Sequence, residues 1–99
     1  MITVSHIKDY LYIPHEMDND DVNIGIFIDT AYSYLRGAVD NFDYKYESST
    51  DYANIADSYV TLFVAEMYQN RNQFAEGSQP SFLTRALITQ LQLYVGGEN

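Results

Sequence analysis

The chain has no cysteine and no tryptophan, only two prolines, and five lysines and arginines against fourteen aspartates and glutamates. The missing cysteine excludes disulfides and thiolate metal sites, and it leaves the redox compartment open. Scarce cations bear on nucleic acid, because a binder must neutralise several phosphates. Here Lys8, Arg36, Lys45, Arg71 and Arg85 are scattered along the sequence. Tight nucleic-acid binding by the isolated chain is therefore not expected. No apolar run approaches the ~20 residues of a membrane span, and no charged segment leads into an apolar one at the N-terminus. A soluble protein without membrane contact or signal peptide is the expectation.

What is present points to one globular unit. Ninety-nine residues with 46% hydrophobic content suit a single domain spanning 1–99, too apolar for disorder. A chain of this size buries ~60–65% of its unfolded surface, enough for one core. The net charge is −9, and Glu66, Glu76 and Glu98 are the only acids after residue 58. The C-terminal half is thus nearly neutral and apolar, better suited to protein contacts.

Apolar spacing predicts four helices. Thr3 is placed to cap a first helix to Leu11, with Val4, Ile7 and Leu11 on one face and Tyr10 beside them. Pro14 bars its continuation. After a polar link, Asp20 or Asp21 caps a second helix over about 22–39. Ile24, Ile28, Ala31, Leu35 and Ala38 there repeat at helical spacing. In 41–50, Phe42, Tyr44 and Tyr46 alternate with Asp43 and Lys45. The expectation is an exposed loop, with a short strand as the lesser alternative. A third helix over about 51–74, capped by Asp51, buries Ile55, Tyr59, Leu62 or Phe63, Met67 and Phe74. Tyr59 to Val64 is apolar almost all round, so this helix is either central or covered by another subunit. Pro80 suits the first turn of a fourth helix bearing Leu83, Leu87, Leu91 and Tyr94, ended by Gly96 and Gly97. The expected fold is all-α: four helices, two of them long, with an exposed loop between helices 2 and 3. Its core is Ile24, Ile28, Leu35, Tyr59, Phe63, Met67, Leu87 and Leu91.

Chemical motifs are missing. Glu16, Asp18, Asp20 and Asp21 do not make a calcium loop, because Val22 stands where a ligand is needed and the glycine comes too late. They read as a solvated linker and helix cap. His6 and His15 are the only imidazoles, are not one helical turn apart, and read as surface residues. There is no nucleophile elbow, Ser–Lys arrangement or phosphate-binding glycine loop. No catalytic, cofactor or metal residue is assigned, and no enzyme is expected. Ten tyrosines are many for this length, and tyrosine favours interfaces as well as the edges of cores. Tyr44, Tyr46 and Tyr52, in or beside the loop, are the better interface candidates. Arg71 follows Tyr68-Gln69-Asn70, where a helix C-terminus favours a cation.

Three stretches, in this order, resemble the phage head–tail connector family, small helical adaptors that dock beneath the portal. Thr3-Val4-Ser5-His6-Ile7-Lys8-Asp9-Tyr10-Leu11-Tyr12-Ile13 is similar to that family's first helix, a Thr-capped segment with a Lys-x-Tyr-Leu core and an acidic stretch after it. Asp20-Asp21 and the Ile24/Ile28/Ala31/Leu35 helix occupy the second-helix position. Ala65-Glu66-Met67-Tyr68-Gln69-Asn70-Arg71 resembles the ending of the third. The chain departs at Met67, where the family often has tryptophan, and at Gln92-Leu93-Tyr94, which lacks the arginine often found there.

The resemblance implies a structural virion protein at the head–tail junction, in the host cytoplasm during assembly. It implies self-association into a ring around the DNA channel, with the portal and a tail-completion protein as partners. The subunit contact expected is Tyr44 and Tyr46 of one copy against Tyr68, Asn70 and Arg71 of the next. The alternative reading from the charge is an acidic regulatory protein that sequesters a basic DNA-binding partner. Against it, the acids do not form a long double row.

Overall fold

The computed structural model describes residues 1–69 and 82–93. Among them it contains five helices and no strand: α1 Val4–Leu11, α2 Asp21–Ala38, α3 Phe42–Ser48, α4 Thr50–Gln69 and α5 Phe82–Leu93. The all-α expectation holds. The stretch expected as an exposed loop is instead helical. The expected extension of α4 to Phe74, the Pro80 start, and Tyr94, Gly96 and Gly97 fall outside the described residues.

Helix α4 is the hub, contacting α1, α2, α3 and α5. Its apolar girdle is therefore covered within the chain, with Tyr59, Val60 and Val64 buried and Phe63 half-buried. The buried stripe sits slightly to one side of the expected one. Tyr52, Ala56, Tyr59, Val60 and Val64 form it, while Ile55, Phe63 and Met67 stay half-buried. From α2, Ile24, Ile28, Ala31, Tyr32 and Leu35 enter the same core, joined by Ile7 of α1 and Leu91 of α5.

Helix ends follow local chemistry. Thr3 Oγ1 accepts the His6 N–H at 3.2 Å, capping α1 as expected. Ser49 caps α4 rather than Asp51, its hydroxyl accepting the Tyr52 N–H at 3.2 Å. Asp20 occupies the N-cap position of α2 without a side-chain cap bond. Its carboxylate instead accepts from the Tyr68 hydroxyl at 2.9 Å, tying the end of α4 to the start of α2. At the far end of α2, Gln92 Nε2 donates to the Ala38 carbonyl at 3.2 Å.

Helix α1 stops three residues before the proline, and for another reason. Tyr12 takes a left-handed conformation, φ 60°. Its N–H reaches Asp9 O and the Ile13 N–H reaches Lys8 O at 2.8 Å. This is the Schellman arrangement, in which glycine is the usual left-handed residue. Tyr12 is 93% exposed, so its ring contributes little packing. Tyr12→Gly should raise stability by about 1 kcal/mol, because a Cβ there is sterically costly. For a domain of this size that is ~4–8 °C in melting temperature. A lowered melting temperature would show that the tyrosine ring stabilises the fold.

Candidate functional site

The expected contact residues fall in different settings. Tyr44 points outward from α3 and is 74% exposed. Tyr46, two residues later and so on the opposite face, is half-buried and turned inward. Tyr52 lies in the core, which removes it as an interface residue. Tyr68 is half-buried and bonded through its hydroxyl to Asp20. Asn70 and Arg71 lie outside the described residues. Of the sequence-based set, Tyr44 alone is placed as a free-standing surface aromatic.

The inward turn of Tyr46 builds a polar centre that spacing did not reveal. Asp57 of α4 accepts from the Tyr32 hydroxyl at 2.7 Å and from the Tyr46 hydroxyl at 2.9 and 3.0 Å. The Tyr32 oxygen in turn accepts the Ile2 N–H at 2.9 Å. One carboxylate thus gathers α2, α3, α4 and the N-terminal segment. Burial, then the hydrogen bond to Asp57 and the nearby negative charge, push the Tyr46 hydroxyl up to about 12. Burial likewise pushes Tyr32 upward, as its largest cause. Both phenols therefore remain protonated donors at neutral pH. Around them Tyr32, Phe42, Tyr46 and Tyr52 stack as an aromatic cluster, with the Tyr32 and Tyr46 rings edge-on at 6.4 Å and Phe42 and Tyr52 at 5.9 Å. Such pairs add to the value of simple burial.

A second polar centre pins the link between α1 and α2. Lys8 is only 3% exposed. Its ammonium donates to His15 O at 3.0 Å, Met17 O at 2.8 Å and Asp21 Oδ1 at 2.9 Å. Three donors meet three acceptors, so this buried charge is fully satisfied. The lysine of the Lys-x-Tyr-Leu segment is therefore structural in this fold.

On the outside of the same link, His15 lies between Asp9, at 2.6 Å from Nε2, and Ser5, at 3.3 Å from Nδ1. Residue order does not announce this trio, since its members are four and six positions apart on two elements. Its order is Ser–His–Asp, but His15 and Asp9 are 54% and 72% exposed at their side chains. Hydrolytic triads use a carboxylate withdrawn from water to orient the imidazole and stabilise its cation. An open carboxylate does neither well, so this arrangement acts as a surface clamp. Among the described residues, no three metal-ligating side chains converge, and no helix is long and apolar enough to cross a membrane.

An open groove follows the seam between α1 and α4. Its main section, about 700 Å³, is lined by Ile2, His6 and Tyr10 on one side and by Asn54, Asp57 and Leu62 among others on the second. A smaller hollow of about 460 Å³, sharing Tyr10 with the first, is lined by Asp9, Leu11, Tyr12 and Gln69. Comparison with known protein families, with characterised proteins and with solved structures finds no match.

Proposed function

We propose that this chain is a structural subunit of a phage head–tail connector. In this reading it forms a ring beneath the portal, around the DNA channel, and performs no reaction. One observation carries it beside the resemblance stated above. Large apolar side chains stand in water at separate places, Val22 and Ile26 one turn apart early in α2 and Tyr44 on α3 beyond its other end. A ring closed by rotation needs two different patches on each subunit, one meeting the other on the neighbour. The 18 residues of α2 rise roughly 27 Å from end to end, and the Val22 and Ile26 pair lies in its first third. The acidic character suits a wall along passing DNA, since like charges repel. A single small contact per neighbour is weak, so rings form where a portal template holds many subunits together.

The test mixes the protein with a purified portal encoded beside it and counts rings by electron microscopy. Tyr44→Ser is expected to abolish portal-dependent rings while keeping helical signal and melting temperature. Tyr46 is left intact, because its hydroxyl holds Asp57. Rings formed by Tyr44→Ser as well as by the parent would remove α3 from the contact. Failure of the parent itself to bind any such portal would overturn the connector reading.

A further inference from the structure

We infer that the groove between α1 and α4 is a docking site for a basic amphipathic helix of a partner protein. Shape is the first argument. On α1 and the segment before it, Ile2, His6 and Tyr10 are four residues apart. They face a stripe of α4 that runs from Asn54 to Leu62. Eight steps along a helix span roughly 12 Å, room for about two turns of a guest. Such a guest lays its apolar stripe into a valley of this kind. Ile2, Tyr10 and Leu62 supply the apolar contacts.

Charge decides which guest. Asp57 lines the main hollow and Asp9 the smaller one beside it, and no lysine or arginine is among the described residues lining either. Asp57 takes two phenolic hydrogen bonds, which orient its carboxylate without neutralising it. The cation on α1, Lys8, is turned away into the link and consumed there. His15 faces Asp9 from the link and leaves the second carboxylate oxygen of Asp9 to solvent or a guest. A lysine or arginine on the guest reaches Asp57 while its aliphatic stem lies on the apolar wall.

Tyr12 adds an independent observation. Folding favours glycine or asparagine at its left-handed position, yet an almost fully exposed tyrosine stands there, in the lining of the smaller hollow. An exposed aromatic ring on this lining suits a guest's cation or apolar side chain. A second copy of this chain is a poor occupant. Among the described residues each helix carries at most one lysine or arginine, and α4 carries none, so no helix offers a basic stripe. The inference does not depend on ring formation.

The probe is a labelled 16-residue peptide with leucines four apart flanked by arginines, with a second peptide carrying glutamate for each arginine. Fluorescence anisotropy at physiological salt is expected to show micromolar binding of the first and none of the second. Ser58 lines the groove and Ser33 lies outside it on α2, and both are exposed. Ser58→Lys and Ser33→Lys change the net charge equally. Ser58→Lys should weaken binding ~10-fold or more, and Ser33→Lys less than ~2-fold. Asn54→Lys, a second exposed groove position, should repeat the Ser58→Lys result, with circular dichroism showing that each variant is folded. Equal losses for the groove and remote variants would mean diffuse attraction to an acidic protein and overturn the site. So would absence of binding at roughly 100 μM protein. A dimer of the parent that Ser58→Lys dissociates would assign the groove to a second copy instead, and overturn the basic guest.

Discussion

Replacing Lys8 by methionine is expected to lower the unfolding free energy by about 2–4 kcal/mol, in a protein whose total stability is of the order of 5–15 kcal/mol. Methionine fills the stem's volume, so the loss is electrostatic rather than a cavity. The His15 and Met17 carbonyls lose their donor, and Asp21 loses its cation. Asp21 is 39% exposed and can be rehydrated, which keeps the cost below that of a fully buried broken pair. Asp21→Asn, which retains an acceptor, should cost less than Lys8→Met. Urea unfolding of both variants and of the double variant measures the coupling. An unchanged midpoint for Lys8→Met would show that the staple contributes nothing. The functional consequence reaches the groove, because the same link carries Tyr12 and His15 past the smaller hollow beside it.

Leu35→Ala should cost about 2–5 kcal/mol. Leu35 has no exposed surface and lies in the core cluster formed by α2 and α4. Truncation removes apolar contacts and leaves a cavity that rigid helices refill only in part. Ile26, on the same helix but 54% exposed, is the control, and Ile26→Ala should stay within about 0.5 kcal/mol. The pair also bears on function. If Ile26 belongs to a subunit contact, its replacement weakens assembly while leaving the monomer's melting intact. Equal destabilisation by both substitutions would contradict the burial pattern of α2.

The long helices were legible from residue order. Along α2, apolar residues repeat at three and four positions with no competing pattern, and Ile24, Ile28 and Leu35 are buried as that spacing predicts. Thr3 announced the start of α1, since a threonine hydroxyl there meets an otherwise unpaired N–H. For Phe42-Asp43-Tyr44-Lys45-Tyr46 the order of residues is ambiguous. Phe42 and Tyr46 share a face both in a strand, at period two, and in a helix, one turn apart. Tertiary contacts decide: Phe42 seats against Tyr32 and Tyr52, and the Tyr46 hydroxyl finds Asp57 eleven positions away. That choice turns Tyr44 outward and withdraws Tyr46 from the surface. Tyr52, Tyr68 and Lys8 share one lesson. Each has an apolar body and a polar tip, and composition does not say which end meets water. Once the fold supplies a core for Tyr52, Asp20 for Tyr68 and two carbonyls with Asp21 for Lys8, the inward placement is favoured. Local spacing determined which segments are helices with one apolar face. The partners of polar tips, and the groove left between α1 and α4, were decided only when distant segments met, because a hydrogen bond's value depends on what it replaces.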